Sequence, residues 1–339
     1  MNRREGRDRD ELQVAVYGNW DFDEALRLLS PGASRRWGGL RFGGAAEIPD
    51  PDFVLILNCP DEAGITLTMP PERIWFGVGE PPPFVAYHAG QGIGTVLLTC
   101  DEAIAARPSH GRHAILTHPV IRTWHVERSF DELAAMGPIE KPKLLSWVTS
   151  DAEVIEGHKL RMRFLRSIRE RLPFDLFGRG FKALPDKWNG IAPYRYSIAF
   201  ENHRSASYFT EKIMDCFVCR TFPIYYGCPN LEKYFPSAAF ARFDPEDPSA
   251  ADRMSDLIQS NVWEEAQGAL EEAKWLVLNK YNMLAQVSDL MRRAAPPPGT
   301  ARTVRLKAIG NPLLLRDPTF GERLLHALRR RLQSALGVR

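Results

Sequence analysis

The stretch from Tyr194 to Pro236 (YRYSIAFENHRSASYFTEKIMDCFVCRTFPIYYGCPNLEKYFP) constrains the fold more than any other part of the chain. An apolar run, Tyr196–Glu201, leads into a polar loop, a helix opening near Tyr208, and a second apolar run, Phe222–Tyr226. Strand, loop, helix, strand is a βαβ unit, and such units build parallel sheets covered by helices. In open sheets of this kind ligands bind beyond the strand C-termini, where helices begin. A phosphate placed there meets unpaired backbone N–H groups and the positive end of a helix dipole. Lys212, in Phe209-Thr210-Glu211-Lys212, adds a full positive charge in the first turn.

The same alternation runs through the rest of the chain. Gln13–Tyr17, Phe53–Leu57, Ile74–Val78 and Thr95–Leu98 read as apolar strands, with a helix opening at Asn19-Trp20-Asp21 after the first. Lys143–Thr149 and Phe174–Phe177 read as further strands. Between them Gly157–Leu172 places Leu160, Phe164, Leu165, Ile168 and Leu172 on one helical side. Ala251–Met291 is expected to be largely helical, ending before Pro296-Pro297-Pro298-Gly299. The pattern breaks at Pro138–Pro142, where a linker is expected. The reading is α/β: a leader over 1–12, a front Rossmann-like lobe over 13–140, a rear one over 141–295, and a tail over 296–339. A cleft between two lobes is a default place for a ligand.

A chain of 339 residues suits about two domains. Its net charge of +2 offers no strong field for nucleic acid. Five cysteines, odd in number and widely spaced, argue against a disulfide framework and for a reducing compartment. The charged start has no apolar h-region, and no run reaches the ~18 apolar residues of a membrane span. A cytoplasmic protein is expected.

At Phe200-Glu201-Asn202, followed by Tyr208-Phe209-Thr210-Glu211-Lys212 and Pro223-Ile224-Tyr225-Tyr226-Gly227, the chain resembles the family 10 glycosyltransferases, the α-1,3/1,4-fucosyltransferases, bacterial members above all. The likeness runs from Lys143 to Phe243 and is weaker in the first half. It implies a GT-B fold with the nucleotide-sugar donor in the rear lobe, a GDP-sugar donor (normally GDP-fucose), and an inverting transfer needing neither metal nor cofactor. It also implies roles. Arg161, with Arg163 as the alternative, and Lys212 would face the donor diphosphate. Glu211 would lie near the donor sugar or ribose, and Asn202 and Tyr208 would line the same pocket. In the front lobe Gly79-Glu80 matches the context of the family's general base. His203 departs from the Ser or Thr often found after the FEN motif, and three prolines follow Glu80.

Plain chemistry points the same way. A leaving nucleoside diphosphate gains charge in the transition state, and fixed cations stabilise that state more than the substrate. An acceptor hydroxyl must lose its proton as it attacks, so a carboxylate such as Glu80 is needed nearby. Against this, Arg161, Arg163, Arg166 and Arg169 also read as a plain basic helix stripe. Glu201 reads equally as a donor-binding residue and as a buried group tying down the loop after its strand.

Cys216 and Cys219, spaced i, i+3, read as small buried hydrophobes rather than metal ligands. Asp21-Phe22-Asp23 and Asp50-Pro51-Asp52 read as a helix cap and a turn rather than metal-binding D-x-D motifs. Glu322–Val338 sets leucines every four residues opposite Arg323, Arg329, Arg330 and Arg331. This basic amphipathic helix could lie on an anionic membrane or dock on protein.

The expectation is therefore an inverting glycosyltransferase moving L-fucose from GDP-fucose to a glycan or lipid-linked glycan hydroxyl. Glu80 would be its base, and Arg161 and Lys212 would stabilise the leaving GDP. A same-fold transferase for another GDP-sugar, or a non-catalytic nucleotide- or glycan-binding module, are the alternatives.

Overall fold

The computed structural model describes residues 11–18, 22–58, 64–79, 95–106, 113–119, 123–296 and 298–306. Glu80, the first ten residues of the leader and the amphipathic stretch 322–338 lie outside them.

The front sheet contains β1 (Leu12–Gly18), β2 (Arg36–Trp37), β3 (Leu40–Gly44), β4 (Phe53–Leu57), β6 (Ile74–Gly77), β7 (Val96–Thr99) and β8 (His113–Leu116). Its order is β2-β3-β1-β4-β6-β7-β8, parallel throughout except for the β2–β3 pair. Strands β4, β6 and β7 are buried at every position, which is why they read as unbroken apolar runs rather than alternating ones. The period of two still decides which face each side chain serves. Val54 and Ile56 join Ala15, Ile74, Phe76 and Leu97 on one face, while Phe53, Leu55 and Leu57 join Val14, Val16 and Trp75 on the other.

The rear sheet is wholly parallel, in the order β10-β9-β11-β12-β13. Its strands are β9 (Lys143–Val148), β10 (Asp175–Phe177), β11 (Tyr194–Phe200), β12 (Phe222–Tyr226) and β13 (Ala241–Arg242). Two of the helices connecting these strands are α1 (Glu156–Ile168), between β9 and β10, and α2 (Glu211–Val218), between β11 and β12. Helix α2 begins later than the sequence suggests. Thr210 is extended (φ −129°, ψ −169°) and its N–H donates to Glu201 Oε1 at 2.7 Å, so the chain cannot turn into a helix at Tyr208. Two parallel α/β sheets, one in each half, are the arrangement expected of a GT-B protein.

The chain does not divide cleanly at the Pro138–Pro142 break. Residues ahead of it already dock on the rear lobe: His125 N donates to Asp215 Oδ1 at 2.7 Å, and Arg128 pairs with Asp186 at 3.2 Å. After helix α3 (Gln267–Asn279), helix α4 (Met283–Ala294) crosses back to the front lobe. Asn282 Nδ2 donates to Leu29 O at 2.8 Å, Ser288 Oγ to Trp37 O at 3.0 Å, and Arg292 to Gly38 O at 2.7 Å. Strand β14 (Arg302–Leu306) then pairs antiparallel with β5 (Ile65–Met69), and its Val304 and Leu306 cover the second front-sheet core. Prolines end secondary structure; where a lobe ends is decided by side-chain contacts that local sequence does not carry.

The two crossings meet at His118, which is 3% exposed. Its ring stacks on Phe209 at 4.7 Å and meets Tyr281 edge-on at 5.4 Å. Nδ1 lies 3.0 Å from Pro119 O, while Nε2 is buried without a partner. Burial pushes this imidazole down to about 3. The unfolded chain, protonating near 6.5, then binds more protons than the fold below that pH, so stability is full above about 6.5 and is lost as pH falls. His118→Phe should therefore show a smaller drop in urea midpoint between about pH 7 and about pH 5 than the parent chain. Equal drops would show that His118 is not the source.

Candidate functional site

The C-terminal ends of β9, β10 and β11 open on one cavity of about 590 Å³, within the range of small-molecule sites. Three turns leave these ends together: Thr149-Ser150, Gly178-Arg179 and Glu201-Asn202. The turns fit closely because two glycines allow it. A Cβ on Gly178 (φ +115°) would lie 1.8 Å from Thr149 O. A Cβ on Gly157, in the first turn of α1, would lie 1.7 Å from Asn202 O. The FEN loop thus rests directly on the N-terminal turn of α1.

Arg161 projects from α1 into this space and is 3% exposed. Its guanidinium donates to Asn202 Oδ1 at 2.6 Å and to Ser150 O at 3.1 Å, while Nε is buried without a partner. Among the described residues no carboxylate pairs with it, nor with Arg179 across the cavity. Burial, and then Arg179, push Arg161 down to about 10. A buried arginine repelled by a second arginine and lacking a counter-ion is the electrostatic signature of an anion site.

Lys212 is held differently. Its Nζ lies 2.9 Å from Thr210 Oγ1, 3.3 Å from Glu211 Oε1 and 3.4 Å from Glu201 Oε2. Burial opposes its charge, but Glu211 and Glu201 outweigh burial and raise the ammonium above its usual value. Glu211 in turn faces Lys187 at 3.6 Å, and Lys187 reaches Asp215 at 3.1 Å. Burial works against Glu211 as a carboxylate, yet Lys212 and Lys187 hold it well below the ordinary range. The result is a row of alternating charges, Glu201–Lys212–Glu211–Lys187–Asp215, wrapped around the first turn of α2.

Of the residues singled out from the sequence, Arg161, Asn202, Glu211 and Lys212 line this cavity together. Arg163 is on the exposed side of α1 and does not, because two positions on a helix turn a side chain by about 200°. Tyr208 is 2% exposed and lies away from the cavity lining, since it belongs to the loop before α2. Glu201 is fully buried and absent from the lining; its carboxylate accepts from Thr210 N and Oγ1 and props Lys212 from behind. Glu80 lies outside the described residues; Gly79 just before it donates to Asn58 Oδ1 at 2.9 Å. Cys216, Cys219 and Cys228 are buried and unpaired.

Sequence reading missed Lys187, Asp215, His158 and Arg179. One signal was available. Glu211 and Asp215 are like charges at i, i+4 on a helix that is apolar apart from them and Lys212, a destabilising pair unless a cation sits between them. Lys187 is that cation, but it comes from a loop 24 residues earlier in the chain, and nothing local marks it.

Gly157→Ala tests the close docking of the FEN loop. On an ordinary helix this change stabilises by about 1 kcal/mol. Here it should lower Tm and weaken nucleotide binding at least about tenfold, because Asn202 must move. A raised Tm would show that the loop does not depend on that contact.

Comparison with known proteins bears on the same region. The profile of glycosyltransferase family 10 (fucosyltransferase), C-terminal domain, matches residues 138–260. An α-(1,3)-fucosyltransferase 4 of Bos taurus is 32% identical over 118 residues, covering 33% of this chain and 29% of that protein. The α-(1,3)-fucosyltransferase of Helicobacter pylori is 38% identical over 50 residues, covering 15% of this chain and 10% of that protein. The chain thus matches less than a third of the length of these relatives. Among solved structures, an α1,3-fucosyltransferase crystallised with GDP aligns at 16% identity and a TM-score of 0.47, over 84% of this chain and 95% of that one. The sequence match falls on the strands and loops that form the cavity, and residues 138–260 are similar to the C-terminal domain of glycosyltransferase family 10, the fucosyltransferases.

Proposed function

We propose that the protein transfers L-fucose from GDP-fucose to a hydroxyl of a glycan acceptor, with inversion. The observation that carries this reading is Arg161: a buried cation with no carboxylate partner among the described residues, sharing a cavity with Lys212 at the strand ends of a family 10 domain. A diphosphate supplies the missing negative charge. Arg161 offers a planar fork of donors and Lys212 a point charge, which together suit a pyrophosphate. Asn202, already bonded to Arg161, would orient that fork.

The step is a single displacement. The acceptor oxygen forms a bond to the anomeric carbon as the bond to the GDP oxygen breaks. The acceptor proton passes to Glu80, and the charge left on GDP is met by Arg161 and Lys212. Glu211, kept ionised by its neighbours, would accept hydrogen bonds from donor hydroxyls. The row of charges along α2 holds both groups in place before the donor arrives, so little reorganisation is needed during the reaction.

Hydrolysis across a panel of GDP- and UDP-sugars tests the donor without needing the acceptor. GDP-fucose should turn over fastest; a preference for a UDP-sugar would overturn the reading. Arg161→Gln should weaken GDP binding by more than about 1.5 kcal/mol, the scale of a charge-assisted contact. Unchanged affinity would remove Arg161 from the site. Glu80→Gln should bind GDP like the parent chain and lose transfer, and normal turnover would show that another group is the base.

A further inference from the structure

One group in the cavity has no part in the mechanism above. His158 lies one turn before Arg161 on α1, is 8% exposed, and lines the same cavity. Its Nδ1 is buried with no hydrogen-bond partner. A buried polar atom left unpaired costs free energy, so a histidine at this position asks for a reason that packing does not supply. Its surroundings are one-sided. Arg161 faces it from its own helix, Lys212 from α2, and Arg179 from the turn after β10, while Asn202, whose backbone packs against α1, is uncharged. Burial first, and then these three cations, push the imidazole down to about 4.

A sugar nucleotide weakens that field. Each phosphate of its diphosphate bridge is esterified and carries one negative charge throughout the neutral range. Two such charges offset two of the three positive charges that face the ring, and a direct contact between ring and phosphate would favour the charged imidazole. An imidazolium would then have a use, because both its nitrogens donate. We propose that His158 is a further donor-binding residue, neutral in the empty cavity, that takes a proton from solvent as the sugar diphosphate enters and completes the ring of cations around it. The proposal rests on the reading of the cavity as a sugar-nucleotide site. It makes donor affinity dependent on pH in a way that Arg161 and Lys212 cannot, since neither titrates near neutrality.

The test is calorimetric titration of the full chain with GDP-fucose from about pH 8 to about pH 5.5, in buffers of different ionisation enthalpy, for the parent chain and His158→Gln. The parent should take up protons on binding and gain affinity as pH falls, by up to about tenfold per unit. His158→Gln should show no proton uptake and a flat profile across the same range. A thermal melt matching the parent's shows that the variant is folded. Equal proton uptake in parent and variant, or none in the parent, would overturn the role of His158 and leave the donor site standing. No binding of GDP-fucose by the parent would instead sink the donor site, and His158 with it.

Discussion

The site depends on how one short helix begins. Helix α2 opens with Glu211 and carries Asp215 one turn later, two carboxylates on one face in largely buried surroundings. Left alone they would repel and melt the turn. Lys187, brought in from the loop after β10, sits against both. Lys212 then balances Glu211 against Glu201 at the end of β11. Each charge is compensated by its neighbours, which makes burial of so many ions tolerable. The same balance fixes where the Lys212 ammonium sits. Arg161 stands outside this compensation: the row along α2 is satisfied, while the arginine in the same cavity has no carboxylate partner among the described residues.

Much of this was legible in the chain. Continuous apolar strands at Phe53–Leu57 and Phe222–Tyr226 appear with the bounds read from the sequence, because strands buried on both faces have no polar alternation to blur them. Arg161, Asn202, Glu211 and Lys212 share a cavity because motif order along a parallel sheet maps directly onto strand ends. What was not legible came from distance. Tyr208 reads as a pocket residue from its place in the motif, but the grip of Glu201 on Thr210 delays the helix and leaves Tyr208 in the core. Glu201 itself allowed two readings, and only the hydrogen bonds to Thr210 choose between them. Lys187 and Arg179 come from loops with no periodicity to read.

The division of the molecule shows the same limit. A proline-rich break reads as a boundary because local rules end secondary structure there. Tertiary contacts cross that break: His125 is bonded to the rear lobe ahead of it, and helix α4 is bonded to the front lobe after a long stay in the rear. Asn282, buried at the turn into that helix, marks the return by bonding both Leu284 N and Leu29 O.

This double passage has a mechanical meaning. The outgoing and returning segments are sewn to one another, with Met283 N bonded to Thr123 Oγ1 at 2.8 Å and Thr117 Oγ1 lying 3.1 Å from Gln286 Oε1. Bodies joined by a single thread can swivel about it in any direction. Bodies joined by two threads stitched side by side resist twisting and keep one preferred arc of swing. Any closing of the halves over a guest would follow that arc, returning the front sheet to the same spot each time.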